Sequence, residues 1–246
     1  MPKVVFIRHG ITDWANRFTG WRDEADVTPE GIKQTIFYAN RLKDLNIDFD
    51  FCITSSLRRA IRTGFVVMDT LDLLWLPHFK AWELNERHYG ALQGMNKKEA
   101  IDIYGEDQVK IWRRSYSTPP PALVVDDPTH PIHDPKYKNV PKNLLPSGES
   151  LFDVQKRTLP YWENSIFPHI KNDKNILISG NHNAMRSILM KLDNLTPDEV
   201  MDLNIAYSIP LIYTFDLKGN VILKEYLADE AEIKAVIDSI KNQTKT

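Results

Sequence analysis

The chain has 246 residues, of which 42% are hydrophobic, and its 31 Lys and Arg against 33 Asp and Glu give a formal net charge of −2. This balance argues against a general binder of nucleic acid or of membrane surfaces, because such polyanions call for a basic excess. No apolar run approaches the roughly 18 residues of a membrane span, no signal peptide is evident, and the single Cys52 excludes an internal disulfide. These features predict a soluble, cytoplasmic protein with a full core.

Short continuous apolar runs predict strands that are buried on both faces of a sheet. They occupy residues 4–7, 51–54 and 176–179, and two later strands at 211–215 and 221–226 flank a turn that contains Gly219. Helices are predicted where capping residues precede apolar residues at helical spacing. They begin after Thr28, after Ser55-Ser56, at Ala184 and after Thr196. The alternation predicts an α/β fold, a three-layer sandwich with a mostly parallel central sheet and helices on both faces.

Two stretches depart from this alternation. Residues 118–146 hold eight of the fifteen prolines. Proline lacks a backbone donor, so this stretch is predicted to be an irregular insertion within a single domain spanning residues 1–246. The tail, residues 229–246, is weakly amphipathic, and we expect either a docked helix or a mobile flap there.

The sharpest local candidate for chemistry is Arg8-His9-Gly10, which follows the first predicted strand. Ligands of open α/β sheets bind just beyond the carboxyl ends of strands. A histidine there can act as a nucleophile beside an anion site if its ring is neutral, which requires the other ring nitrogen to hold the proton. The alternative is a hydrogen-bonded core histidine.

Three pairs of basic residues suggest an anion site. They are Arg58-Arg59, Lys97-Lys98 and Arg113-Arg114. The first pair lies in the first turn of a predicted helix, where the dipole disfavours cations unless an anion is bound. A solvated surface explains each pair alone, but their convergence would form a site for a small polyanion. The segment 83–90 adds carboxyl groups, and a carboxyl near phosphate oxygens can serve as an acid because like charge raises its pKa.

Seven segments together carry a close likeness to one family. They are Arg8-His9-Gly10 and residues 16–21 (NRFTGW), 54–60 (TSSLRRA), 84–94 (LNERHYGALQG), 106–114 (EDQVKIWRR), 133–135 (HDP) and 192–195 (LDNL). Through them the chain resembles the cofactor-dependent phosphoglycerate mutases of the histidine phosphatase superfamily. The segments around Glu86 and Trp112 are specific to the mutase branch of that superfamily.

The resemblance implies a phosphohistidine mechanism in glycolysis and gluconeogenesis. His9 would carry the phosphoryl group, Glu86 would act as general acid and base for the substrate hydroxyl, and Arg8, Arg59 and His182 would surround the transferring group. The residues that would hold the substrate's carboxylate and phosphates are Asn16, Thr19, Gly20, Tyr89, Lys97, Arg113, Arg114 and Asn183.

The resemblance also implies the ligands and the assembly. The substrates would be small phosphorylated three-carbon acids, 3- and 2-phosphoglycerate, and 2,3-bisphosphoglycerate would prime the histidine. No metal would be needed, and the sequence agrees in lacking a dense cluster of metal-ligand type. A homodimer or a homotetramer is the assembly that the resemblance suggests.

The loop after the nucleophile departs from the family pattern. It is about two residues shorter, and Ala15 stands where the family has an asparagine after its tryptophan. Asn16 either takes over the phosphate contact of that asparagine or matches only a later asparagine of the loop. The following stretch, residues 22–26, is more acidic than expected near an anion site.

The second departure lies after the third apolar run, where the family has Ala-His-Gly-Asn-Ser-Leu-Arg and this chain has residues 180–186 (GNHNAMR). Without gaps, Asn181 stands at the histidine position and His182 at the glycine position. A slip of one residue changes the face to which a strand side chain points, although a bulge can restore it. We favour His182 as the functional residue.

Two other functions stay open at the level of sequence. The altered loop over residues 11–26 is compatible with a bisphosphoglycerate mutase or with a phosphatase of other phosphoesters. A catalytically weak relative that binds phosphorylated ligands is the third interpretation. The joint presence of His9, Arg59 and Glu86 argues against it, because a binding module needs neither a nucleophile nor an acid.

Overall fold

The computed structural model describes residues 1–242, with all of their side chains except those of residues 114 and 239–242. The strands of this described part are β1 (Lys3–Arg8), β2 (Phe51–Ser55), β3 (His78–Ala81), β4 (Ile176–Gly180), β5 (Leu211–Phe215) and β6 (Val221–Tyr226). They form one mixed sheet in the order β3-β2-β4-β1-β5-β6. The predicted α/β fold is confirmed, and each predicted strand is present to within one residue at either end.

Four neighbouring strands, β3, β2, β4 and β1, run parallel, whereas β5 is antiparallel to β1 and β6 is antiparallel to β5. Arg8 at the end of β1 pairs with Gly180 at the end of β4, and Thr54 of β2 pairs with Ser179 of β4. The segments that follow these three strands therefore leave the sheet at the same edge, where side chains from distant parts of the sequence meet.

The described helices are α1 (Pro29–Lys43), α2 (Arg58–Thr70), α3 (Lys97–Tyr104), α4 (Glu106–Arg114), α5 (Leu151–Tyr161), α6 (Phe167–Lys171), α7 (His182–Leu192), α8 (Pro197–Asp202) and α9 (Glu230–Asn242). One π-helical turn, Trp162–Ile166, joins α5 to α6. Local capping explains several starts, because each cap satisfies backbone N–H groups that the first turn leaves unpaired. Thr28 caps α1, and capping boxes begin α3 (Asn96 with Glu99), α5 (Ser150 with Asp153) and α8 (Thr196 with Glu199).

The start of α2 differs from the prediction. The helix begins at Arg58, and Leu57 at its N-cap provides no side-chain hydrogen bond, so the predicted cap by Ser55-Ser56 is wrong. Ser55 is the last residue of β2, and the carboxylate of Asp23 accepts the hydrogen bond of Arg58 N at 2.9 Å in place of a local cap. A loop distant in sequence thus completes the first turn of α2.

The sequence pattern does not predict β3 or the helices α3 to α6. The four residues of β3 leave Phe79 and Lys80 exposed, so they present no continuous apolar run. Similarly, α7 begins at His182, two residues before its predicted start. Residues 118–146 contain three single turns of 3-10 helix, at Pro131–His133, Pro135–Tyr137 and Lys142–Leu144, and are otherwise irregular.

The described part of the tail follows the docked-helix alternative. In α9, Ile233 and Ile237 pack on Tyr38 of α1 and on Ile209. Arg41 of α1 adds an ion pair with Glu232 at 2.8 Å. Residues 243–246 of the predicted tail lie outside the described residues.

The sheet carries an apolar cluster on each face. Val4 and Phe6 belong to one cluster, and Val5 and Ile7 belong to the other, because successive side chains of a strand point to opposite faces. Burial on both sides holds β1 firmly and thereby fixes the position of His9 at its end. None of the described helices is long and apolar enough to cross a membrane.

Candidate active site

A cavity of about 240 Å³ opens at the carboxyl edge of the parallel strands. Its wall combines residues that follow β1, β2 and β4 with residues of two loops and of helices α3 and α4. The lining residues are Arg8, His9, Thr12, Trp14, Ala15, Arg17, Phe18, Thr19, Gly20, Arg59, Glu86, Tyr89, Lys97, Arg113, His182, Asn183, Arg186, Asn204 and Tyr207. Most of the predicted site residues are therefore brought together on one surface.

His9 directly follows β1, and its backbone N–H donates to Gly180 O of β4 at 3.0 Å. Its Nδ1 lies 2.8 Å from Gly10 O. Because a carbonyl oxygen only accepts, Nδ1 carries the proton and Nε2 keeps its lone pair. Burial, reinforced by the charges of Arg59 and Arg8, lowers the pKa of His9 well below its ordinary value of 6.5. The ring is therefore neutral at pH 7, the state in which imidazole can attack phosphorus.

Arg8 is held from two sides. Its Nη1 donates to Ile205 O at 2.8 Å, and its guanidinium stacks on the ring of Tyr207, 3.7 Å from the centroid. Among the described residues, none accepts a hydrogen bond from its buried Nε. The guanidinium thus has a fixed plane and a buried donor, Nε, that an oxygen of a phosphate can accept from.

Arg59 lies in the first turn of α2 and is 1% exposed. It donates to Gly20 O at 2.7 Å and to Arg22 O at 3.1 Å, so it pins the loop that follows β1. In the part of the chain that the structure describes, its Nε also lacks an acceptor. The helix N-terminus and the guanidinium both add positive potential at the base of the cavity.

Glu86 is buried, and one oxygen of its carboxyl group is fully occupied. Oε1 accepts from Arg87 N at 2.8 Å, from Asn183 N at 3.1 Å and from Asn183 Nδ2 at 2.8 Å. Three donors fix the carboxyl group and leave Oε2 as the oxygen that can exchange a proton with a ligand. Asn183 lines the cavity as predicted for a substrate-binding residue, but its amide nitrogen holds Glu86.

The structure separates the two candidates for the second histidine position. Asn181 is fully buried, and its Nδ2 donates to Ser55 Oγ at 2.7 Å and to Leu84 O at 3.3 Å. His182, the first residue of α7, lines the cavity instead. The chain is still extended at Asn181, with φ −115° and ψ 154°, so the following side chain points away from that of Asn181.

Lys97 and Arg113 bring further positive charge to the cavity from α3 and α4. Nζ of Lys97 donates to Ala15 O at 2.6 Å. Burial, with repulsion from Arg113 and from Arg8, lowers the pKa of Lys97 to about 7. The protein has gathered cations here at an electrostatic cost, which a bound anion would offset.

Three other predicted site residues, Thr19, Gly20 and Tyr89, lie on the cavity wall. Asn16 does not. Its side chain is exposed, and its backbone carbonyl accepts from Lys97 N at 2.9 Å. The shortened loop therefore directs Asn16 to solvent and brings Ala15 and Arg17 to the wall. The side chain of Arg114 lies outside the described side chains.

Some wall residues have no counterpart among the predicted site residues. They are Thr12, Trp14, Ala15, Arg17, Phe18, Arg186, Asn204 and Tyr207. Arg186 belongs to a segment already compared with the family, so the sequence offered a signal for it. Tyr207 had none, because an isolated backbone bridge to Arg8 and ring contacts with Arg8 and His9, all distant in sequence, bring it to the site.

The arrangement defines what the cavity can do chemically. A neutral imidazole can attack phosphorus, a held carboxyl group can give or take a proton, and fixed cations can stabilise charge on phosphoryl oxygens. Among the described residues, no group of three or more His, Cys, Asp or Glu side chains could hold a metal ion.

Comparisons with known proteins agree with this fold. Residues 4–225 match the family model described as Histidine phosphatase superfamily (branch 1). The fold is similar to that of Bacillus stearothermophilus YhfR, at 18% identity and a TM-score of 0.68, over 91% of this chain and 95% of that chain. A mycobacterial glucosyl-3-phosphoglycerate phosphatase matches at 18% identity and a TM-score of 0.63, over 92% of this chain and 97% of that chain. The alpha-ribazole phosphatase from Shigella flexneri matches at 18% identity and a TM-score of 0.65, over 92% of this chain and 96% of that chain.

Proposed function

This chain belongs to the histidine phosphatase superfamily, and from that premise we propose that it is a phosphoglycerate mutase. It would interconvert 3-phosphoglycerate and 2-phosphoglycerate through a phosphohistidine at His9. The superfamily supports a phosphoryl-transfer enzyme, and the choice of mutase rests on the contents of the cavity.

One observation carries the proposal: a single cavity joins the nucleophile, the carboxyl group and a second set of cations. A phosphatase whose substrate has no other anionic group needs cations only around the transferring phosphoryl group. Lys97 and Arg113 provide charge beyond Arg8 and Arg59, which suits a substrate with a second anionic group, such as a carboxylate. Small phosphorylated three-carbon acids have both groups.

In the transfer step that we propose, His9 is the nucleophile and Glu86 is the acid and base. Nε2 of His9 forms a bond to phosphorus as the bond from phosphorus to the ester oxygen breaks. Protonated Glu86 gives its proton to that oxygen, so the leaving group departs as an alcohol. In the return step, the carboxylate of Glu86 takes the proton of an acceptor hydroxyl, and that oxygen displaces the histidine nitrogen from phosphorus. Arg8, Arg59 and His182 would stabilise the charge on the three phosphoryl oxygens.

The residues present fit 2,3-bisphosphoglycerate. Within the described residues, the buried Nε atoms of Arg8 and Arg59 have no acceptor in the protein, and burial, with neighbouring cations, lowers the pKa of Lys97. Arg8 and Arg59 would hold one phosphate, and Lys97 and Arg113 would hold the other. When bound, this group supplies the phosphoryl group that charges His9.

Hydrolysis of other phosphate monoesters is the second candidate. Two proteins of similar fold are named as phosphatases, of glucosyl-3-phosphoglycerate and of alpha-ribazole. The exposed side chain of Asn16 also leaves the shortened loop without the phosphate contact that the mutase pattern calls for. In this alternative, water replaces the acceptor hydroxyl in the return step.

The proposal is tested by following the phosphoryl group. The protein is incubated with 2,3-bisphosphoglycerate, and mass spectrometry should show one acid-labile phosphate on His9. Addition of 3-phosphoglycerate should then release 2-phosphoglycerate, which an enolase-coupled assay detects. His9→Ala should abolish both signals, whereas His133→Ala, which removes an exposed histidine, should leave them unchanged.

Each other result has a definite meaning. Phosphate on the His9→Ala variant would refute the assignment of the nucleophile. A phosphoenzyme that passes its group only to water would favour the phosphatase alternative. A wild-type protein that binds the phosphoglycerates but never becomes phosphorylated would refute phosphoryl transfer altogether.

A further inference from the structure

Glu86 lies on a segment that has little regular structure of its own. It is placed between two single turns of 3-10 helix, Trp82–Leu84 and Gly90–Leu92. A backbone of this kind lacks the repeating hydrogen bonds of a helix or a strand, so its carbonyl groups need partners elsewhere. The identity of those partners decides how firmly the carboxyl group of Glu86 is held.

One guanidinium group binds three of these carbonyls. Nη1 of Arg157, on α5, donates to Glu83 O at 2.6 Å and to Asn85 O at 3.0 Å. Nη2 donates to Glu86 O at 3.0 Å. Arg157 does not line the cavity, so it acts on the site indirectly, through the backbone that carries Glu86.

A buried carboxylate holds this guanidinium in turn. Nε and Nη2 of Arg157 donate to the two oxygens of Glu149 at 2.7 and 2.9 Å, and the side chains are only 7% and 5% exposed. The same carboxylate accepts from His88 N at 2.8 Å, and Glu149 N donates to His88 O at 2.8 Å. The pair therefore fixes the backbone on both sides of Glu86.

The geometry requires an arginine. The planar guanidinium has five donors in a fixed fork, so it can bind a carboxylate along one edge and carbonyls along another. A lysine ammonium has a single nitrogen and cannot reach the same acceptors. The indole of Trp21 also donates to Glu86 O, at 2.5 Å. Because an indole has a single N–H donor, it does not replace the bonds of Arg157 to Glu83 O and Asn85 O.

We propose that Arg157 is a positioning residue for Glu86 and that Glu149 holds Arg157 in the required orientation. This inference rests on the proposed function, because Glu86 has to be the group that moves the proton. A shift of the segment would move Oε2 away from the ester oxygen while leaving His9, at the end of β1, undisturbed. Misplacement by about 1 Å can cost about a hundredfold in rate.

The test uses two phosphoryl donors that differ in their need for an acid. The leaving group of 2,3-bisphosphoglycerate is an alkoxide, which must be protonated as it departs. The leaving group of p-nitrophenyl phosphate is a stable phenolate, which departs without a proton. Loss of a well-placed acid therefore slows phosphorylation of His9 by the first donor and spares the second. General damage to the protein slows both donors alike, so the ratio of the two rates separates positioning from stability.

Single-turnover rates with both donors are measured for four proteins. Arg157→Lys should lower the rate with 2,3-bisphosphoglycerate by at least about tenfold and change the rate with p-nitrophenyl phosphate by less than about twofold. Glu86→Gln should show the same selectivity and is the reference for a missing acid. Leu42→Ala, a core variant on α1 that does not contact the segment, is the matched control and should leave the ratio unchanged.

Removing one member of a buried ion pair can unfold a protein, so the melting temperature of each variant is recorded. If Arg157→Lys does not fold, Glu149→Gln takes its place, because it removes the charge of the pair but keeps an acceptor for His88 N. The same selectivity is expected of it.

The outcomes distinguish the positioning role of Arg157 from the proposed function. Selectivity in Glu86→Gln without selectivity in the Arg157 or Glu149 variant would overturn the positioning role. Absence of selectivity in Glu86→Gln, or a wild-type protein that accepts a phosphoryl group from neither donor, would overturn the proposed function instead. Selectivity in both variants supports the inference.

Discussion

The two sides of the cavity are built in different ways. The inner wall, formed by Arg8, His9, Arg59, Glu86 and Asn183, lies at the edge of the sheet, and every member is less than 8% exposed. The outer wall, formed by Thr19, Tyr89, Lys97 and Arg113, is only partly buried. A small separate apolar cluster of Phe18, Leu92, Ala100 and Val109 supports it.

This difference separates chemistry from recognition. Groups that make and break bonds need fixed positions, and the inner wall obtains them from strands buried on both faces and from hydrogen bonds to backbone atoms. Charges that only attract a ligand tolerate more freedom, because Coulomb attraction falls off gradually with distance. We therefore expect substitutions in the inner wall to lower turnover and substitutions in the outer wall to weaken binding.

The largest effect is expected at Glu86. Glu86→Gln removes the proton that the leaving oxygen needs but keeps an oxygen that accepts from Asn183. It should lower kcat by about 10²–10⁴-fold, the usual contribution of general acid–base catalysis, with little change in KM. Enolase-coupled assays give both constants.

The neighbouring carboxyl group offers a control for this prediction. Glu83 is half-buried and does not line the cavity, so Glu83→Gln should leave turnover within about twofold. Unchanged turnover in Glu86→Gln would assign Glu86 to a structural role and would remove proton transfer from the inner wall.

A smaller effect is expected at residues 181 and 182, where the chain departs from the family pattern. If His182 is protonated when a phosphoryl group is bound, its hydrogen bond contributes about 1.5–3 kcal/mol, against about 0.5–1.5 kcal/mol for a neutral donor. His182→Ala should lower kcat/KM by at least about tenfold, equivalent to about 1.4 kcal/mol. Asn181→Ala should affect kcat/KM less and thermal stability more, because the side-chain amide of Asn181 donates to Ser55 and to Leu84, neither of which lines the cavity.

Kinetics and thermal unfolding of the two variants decide whether His182 or Asn181 is the functional residue. The reverse order of the effects on kcat/KM would place Asn181 in the functional position. If neither variant changed kcat/KM, the site would work without a second histidine, and fewer groups than we propose would stabilise the phosphoryl oxygens.

The smallest effect is expected from the titration of Lys97. Because its pKa is lowered to about 7 in the free protein, its charge is present below pH 7 and is lost as the pH rises above it. KM for phosphoglycerate should therefore rise between pH 7 and pH 9, by less than about tenfold in total because the neutral amine still donates a hydrogen bond, while kcat changes little. Lys97→Arg, which stays charged throughout this range, should flatten the profile.

Parallel pH profiles of the wild type and of Lys97→Arg provide the measurement. An unchanged slope in the variant would show that Lys97 does not contribute charge to binding. A change in kcat larger than the change in KM would show that the outer wall takes part in chemistry, against the division that we draw.

Much of the inner wall could be predicted from the sequence because local patterns encode it. The apolar run of residues 4–7 and the glycine after His9 indicate a strand end, and strand ends of parallel sheets share one edge. The run around Glu86 carries a family pattern that placed the carboxyl group in the site. By contrast, Asn16 was predicted on the wall and points to solvent, because a shortened loop changes direction in a way that a matching residue type does not reveal.

The sequence by itself determined five of the strands, the α/β alternation, the nucleophile candidate and the superfamily. Only the tertiary structure decided which of Asn181 and His182 lines the cavity, that Asn183 holds Glu86, and that Arg157 and Glu149 hold the backbone beneath it. Hydrophobic periodicity and capping depend on neighbours within a few residues, so they can be read along the chain. Arg157 and Glu86 are 71 residues apart, and a contact of that kind exists only once the sheet and its helices have packed.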